Sequence, residues 1–209
     1  NQSGNILVMV HGFNGSLFNY EPLVPYLSKE YRIISLDLPA HGLTGAVNSD
    51  LYNQEAYEKV IEEVVEILEI DKFYLVGHSM GGMIAWRYAL SNLDQLKGLI
   101  IIGSAFFANE QEFNDFQSIN APPLAFELIE SKFFIRLLEF LTPRILVKEG
   151  VSQTVYDQSI VTDELVEQFH DIILMEGTRV AIGMLAEDLE TNFIADPLDL
   201  RKINIPSLI

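Results

Sequence analysis

Leu75-Val76-Gly77-His78-Ser79-Met80-Gly81-Gly82 sets a serine inside G-x-S-x-G, between an apolar β-rich run and a segment that is apolar on nearly every side. A serine on a sharp strand-to-helix turn sits in strained backbone, and residues without a Cβ let neighbouring chain pass that close. The stretch therefore predicts a strand over Phe73–Val76, a tight turn holding Ser79, and a buried helix from Met80 to Leu90. Ser79 is the candidate nucleophile.

The same rhythm runs outward from this stretch. Ile6-Leu7-Val8-Met9-Val10 is a continuous apolar run, as expected of a strand buried on both faces, and it ends in the loop His11-Gly12-Phe13-Asn14-Gly15-Ser16. Residues 19–28 predict a helix with Leu23, Tyr26 and Leu27 on one side. Arg32–Leu36 reads as a second strand, ending in Asp37-Leu38-Pro39-Ala40-His41-Gly42. From Tyr52 to Glu69, Ala56, Val60, Val64 and Ile67 recur at helical spacing, while Glu58, Glu62, Glu66 and Glu69 mark the wet side. Leu99–Ile102 is a fourth strand. Strands alternating with helices predict an α/β fold with a mostly parallel sheet flanked by helices.

The rhythm changes after residue 104. Residues 105–189 show no convincing strand but several helical segments, among them Ser131–Leu141 and Thr162–Met175, the latter opened by a capping hydroxyl and two acids. This predicts three parts: a core over 1–104, an all-helical cap or lid over 105–189, and a return to the core over 190–209, where Ile203–Ile209 starts another strand. Eight phenylalanines between Phe106 and Phe140 lie in the predicted lid. Most should pack its helices, and the rest favour a hydrophobic acyl or aromatic ligand over a sugar or a peptide.

Composition narrows the function classes. Thirteen basic against thirty acidic side chains give a net charge of −17, which repels phosphate backbones and anionic lipid and argues against nucleic-acid partners. The absence of cysteine excludes disulfides and thiol catalysis. No stretch reaches the roughly 18 apolar residues of a spanning helix, so no stable membrane insertion is expected. The charge fits a soluble, cytoplasmic protein; the oligomeric state is left open. Asn14-Gly15-Ser16 spells a glycosylation sequon, read as accidental because a glycan there would crowd the loop after the first strand.

Three ordered motifs, His11-Gly12 with Gly15-Ser16, Asp37-Leu38-Pro39-x-His41-Gly42, and Gly77-His78-Ser79-Met80-Gly81-Gly82, resemble the α/β-hydrolase superfamily in its lid-bearing esterase, lipase and C–C-hydrolase branch. The resemblance implies Ser79 as nucleophile, the backbone N–H groups of Phe13 and Met80 as the oxyanion hole, and His11, Gly12 and His78 as the supporting loops. It implies no cofactor and no metal. A serine in place of an aspartate points away from the dehalogenase and epoxide-hydrolase branches. The activity implied is cleavage of a small to medium hydrophobic carboxylic ester or related acyl compound through an acyl-enzyme. C–C bond hydrolysis on the same machinery, or a non-catalytic receptor or scaffold, are the alternatives.

A serine hydroxyl needs a base and an acid that orients it. The histidines are His11, His41, His78 and His170. His11 reads as a loop holder, His41 as a structural turn residue, and His78 as diverging from its neighbour Ser79. His170 falls on a predicted lid helix, and Asp37 is expected to tie down the turn that follows it. The resemblance instead places the acid and base after strands beyond Ile209, so the 209 residues read as an excerpt expected to fold poorly or lack activity by themselves.

Overall fold

A computed structural model describes residues 4–104, several positions between 107 and 115, residues 142–192 and residues 197–209. Five strands, β1 (Asn5–Val10), β2 (Tyr31–Leu36), β3 (Phe73–His78), β4 (Leu96–Ile102) and β5 (Ser207–Leu208), form one all-parallel sheet in the order β2-β1-β3-β4-β5. Among the described residues the α-helices are α1 (Val24–Leu27), α2 (Gln54–Ile67), α3 (Met80–Asn92), α4 (Arg144–Thr154), α5 (Asp163–Leu174), α6 (Thr178–Asn192) and α7 (Pro197–Leu200). The predicted α/β architecture is the one observed.

The strand order decides where a site can form. The chain leaves β1 for β2 on one side, then crosses to β3 on the other and continues away to β4, so the connections out of β1 and β3 run in opposite directions along the sheet. Open parallel sheets bind ligands in the crevice at such a switch point, beyond the carboxyl ends of the strands. Val10 pairs with Gly77 in register, which brings the loop starting at His11 beside the turn holding Ser79.

Alternation along β1 builds two cores. Val8 and Val10 join the large cluster with Leu75, Ile84, Tyr88 and Leu99, while Leu7 and Met9 face the other side with Tyr20 and Val76. α3 is the buried helix the sequence predicts, with nine of its residues from Met80 to Ala89 inaccessible. Ala181 and Leu185 of α6 share the large cluster. Val147 and Val151 of α4 and Val166 of α5 form a separate small one.

Two helix predictions need correction. Residues 17–27 do not form one helix but a 3-10 turn over Leu17–Leu23 followed by the single turn α1, because Pro22 and Pro25 lack the N–H that a continuous helix requires. Leu23 and Tyr26 face solvent, and the buried anchor is Tyr20, whose hydroxyl donates to Val10 O at 2.8 Å. On α2 the core stripe is Tyr57, Ile61 and Val65, one position along from the predicted one, and Ile67 is 76% exposed. Val60 and Val64 pack against the same core from the flank, partly buried.

The start of α5 is as expected, with Thr162 Oγ1 accepting from Leu165 N at 3.2 Å. The predicted helix Ser131–Leu141 and, of the eight phenylalanines between Phe106 and Phe140, all but Phe107 lie outside the described residues. Phe107 is buried. Ser207 and Leu208 pair with Leu99 and Ile100, as the predicted final strand requires. No helix among the described residues is long and apolar enough to cross a membrane.

Candidate active site

Ser79 stands at φ 52°, ψ −119°, between the last residue of β3 and the first of α3. An L-residue there stores on the order of 1–3 kcal/mol of strain, which persists only where surroundings over-determine it. The surroundings are tight backbone. A Cβ on Gly77 would lie 2.1 Å from Gly81 O, and one on Gly81 would lie 2.2 Å from Val10 O. Ser79 N donates to Ile102 O at 2.9 Å, tying the turn to β4, while Ser79 O accepts from Gly82 N and Met83 N inside α3.

The loop after β1 closes onto this turn. A Cβ on Gly12 would sit 3.0 Å from Ser79 Cβ and 3.1 Å from His78 Nδ1. The structure thus brings Gly12, His78 and Ser79 together, with His11 and Phe13 on either side of Gly12. Met80 opens α3 and is buried; its N–H is among the first four of the helix, which have no intrahelical acceptor.

His11 is fully buried and its hydrogen bonds fix its tautomer. Leu38 N donates to Nε2 at 3.1 Å, so the proton sits on Nδ1 and is donated to Gly12 O at 2.7 Å. Asp37 Oδ1 lies 4.0 Å from Nε2, but that nitrogen presents a lone pair, so the contact is not an ion pair. Asp37 is occupied elsewhere: Oδ1 accepts from Leu17 N at 2.7 Å and Oδ2 from Leu43 N at 2.9 Å, the turn-tying part expected of it.

His41 is equally buried, with Nδ1–H donated to Pro39 O at 2.9 Å. His170 Nε2–H donates to Thr142 O at 2.9 Å, joining α5 to the segment before α4. Among the described residues no hydrogen bond joins Ser79 Oγ to any of the four histidines.

Burial pushes His11 down to about 4 and His41 down to about 3, from an ordinary 6.5, each lowered further by a neighbouring histidine. Both are neutral at pH 7. The unfolded chain takes up these protons more readily than the folded one, so the contribution to stability is full above pH 6.5 and is lost as pH falls toward 4 and below. At pH 5 the loss is roughly 2 kcal/mol per histidine. Thermal melts at pH 7.5 and 5.0 should show a clear drop in Tm; an unchanged Tm contradicts a neutral buried pair.

A profile described as alpha/beta hydrolase fold matches residues 5–128, more than half of the chain. The chain belongs to the α/β-hydrolase fold family. The hydrolase YugF of Bacillus subtilis (strain 168), itself uncharacterized, is 27% identical over 217 residues that take in 100% of this chain and 72% of YugF. A pimeloyl-[acyl-carrier protein] methyl ester esterase of Legionella pneumophila (strain Lens) is 33% identical over 49% of this chain and 39% of the esterase. A meta-cleavage product hydrolase of Pseudomonas fluorescens IP01 (CumD) superposes with a TM-score of 0.77 at 19% identity, over 98% of this chain and 71% of that one. That last likeness is one of fold.

Proposed function

We propose that this α/β-hydrolase family chain carries the nucleophile and oxyanion donors of a serine hydrolase acting on a small to medium hydrophobic carboxylic ester or related acyl compound. The observation that carries this reading is Ser79 held at φ 52° on the turn from β3 into α3, with Gly12 packed against its Cβ. Strain of that kind clusters where a side chain must be presented at one point.

In the proposed reaction Ser79 Oγ bonds to the substrate carbonyl carbon and yields its proton to a general base. The tetrahedral oxyanion is met by the N–H groups of Phe13 and Met80, each worth roughly 3 kcal/mol of barrier. The C–O bond to the alcohol breaks, the alkoxide takes the proton, and water then releases the acid from the acyl-enzyme. The N-terminal end of α3 adds its positive dipole to the Met80 side. No cofactor enters this scheme. The phenylalanine-rich sequence of the proposed 105–189 cap supports an apolar acyl group in the substrate.

Product analysis with p-nitrophenyl esters of increasing acyl length and with ring-fission dienones tests the proposal. Ester cleavage with a preference for apolar acyl chains supports it. Turnover of the dienones alone replaces it with C–C hydrolysis, and no turnover of either class favours a binding scaffold.

A further inference from the structure

We infer that His41 is a positioning residue for the Phe13 N–H, packing from the β2 loop against both residues that bracket Gly12; the inference rests on the oxyanion reading above. The Gly12 carbonyl and the Phe13 N–H belong to one planar peptide and point in opposite directions. Whatever holds Gly12 O therefore aims Phe13 N–H. That carbonyl accepts from His11 Nδ1 at 2.7 Å and from Gly15 N at 3.0 Å, both on the side away from the donor.

His41 backs this arrangement from two directions. Its ring centroid lies 5.0 Å from that of His11, tilted by 52°, and 6.0 Å from that of Phe13, edge-on at 78°. Edge-to-face packing at this distance fixes ring orientation. The His41 ring is itself set by Nδ1–H donation to Pro39 O, and the residue is 1% exposed. Its Nε2 carries a lone pair with no hydrogen-bond partner among the described residues. A buried acceptor left unpaired costs about 1–3 kcal/mol, so an apolar ring of similar shape should fill the position without that penalty. Pro39 O also accepts from Tyr57 OH at 3.3 Å, so the ring of His41, and not its donor, is the part that bears on Phe13.

Two substitutions separate ring packing from the hydrogen bond. His41→Phe keeps a ring against His11 and Phe13 but loses the donor; His41→Asn keeps a donor for Pro39 O but loses the ring. In the full-length protein with a p-nitrophenyl ester, positioning predicts that His41→Asn loses about 10- to 100-fold in kcat, with KM changed less than about threefold. His41→Phe should retain kcat within about threefold. The reverse order, or a kcat in folded His41→Asn equal to that of the unaltered protein, overturns the inference.

A second readout does not depend on turnover. In 15N-labelled protein the Phe13 amide resonance should shift in His41→Asn while that of Met80 stays in place; an unmoved Phe13 amide in the folded variant also overturns it. If the unaltered protein and Ser79→Ala hydrolyse the ester at equal rates, the nucleophile reading has failed, and the amide shift still decides whether His41 positions Phe13.

Discussion

Ser79→Ala is expected to lower kcat for ester hydrolysis by at least about 10⁴-fold while leaving the melting temperature unchanged within a few degrees. Under the proposed reading the rate loss follows from removal of the hydroxyl that forms the acyl-enzyme, and what remains is the residual catalysis of binding and the proposed oxyanion donors. The stability is unchanged because alanine keeps the Cβ, and with it the cost of φ 52°. Ser79→Gly separates the two effects. It removes the same hydroxyl and also relieves the backbone strain, so it should be equally inactive and more stable by about 1 kcal/mol or more. Paired unfolding curves and steady-state kinetics check both parts. A Ser79→Ala protein that retains a tenth of the activity, or a Ser79→Gly protein less stable than the original, contradicts the strained-nucleophile account.

The second large effect is on folding. Gly81→Ala places a methyl carbon 2.2 Å from Val10 O and 2.5 Å from His11 O. Both obstacles are backbone, of a central strand and of the loop that follows it, so no side-chain rotation relieves the clash. Either α3 or the end of β1 must move. Overpacking that side chains absorb costs about 1–3 kcal/mol, and a backbone collision should exceed the top of that range. Gly77→Ala meets Gly81 O at 2.1 Å and Gly81 C at 2.5 Å and belongs to the same class. Urea unfolding of either variant should show a lower midpoint, or no folded baseline at all. A midpoint unchanged from the parent would mean that α3 sits farther from β1 than described.

Much of the fold was legible because buried parallel strands are continuous apolar runs. Ile6–Val10 and Phe73–Val76 could be placed to within two residues on that ground, and the buried character of α3 followed from its apolar composition. The segment before β2 was not, since Leu23, Tyr26 and Leu27 mimic a helical face while Pro22 and Pro25 break the hydrogen-bond ladder. The two prolines are the signal in the sequence that limits the helix there. On α2 two apolar stripes lie side by side, and periodicity alone does not say which one meets α3.

The site divides in the same way. The sharp turn at Ser79 was legible because glycine spacing is a statement about close backbone approach, and the distances around Gly77 and Gly81 are short enough to need it; Gly12 and Met80 entered only through the resemblance. The parts of His11 and Asp37 as loop ties were also within reach of the sequence. The contact of His41 with Phe13 was not. It joins positions 28 residues apart through two loops whose meeting depends on the β1–β2 register, and nothing in local spacing encodes it.

Ser79 is the proposed nucleophile. The most direct test treats the full-length protein with a fluorophosphonate and locates the adduct by peptide mass spectrometry. One covalent phosphonyl group is expected, carried on Ser79 and absent from Ser79→Ala. A stoichiometric adduct on any other residue, with Ser79 recovered unmodified, would contradict it.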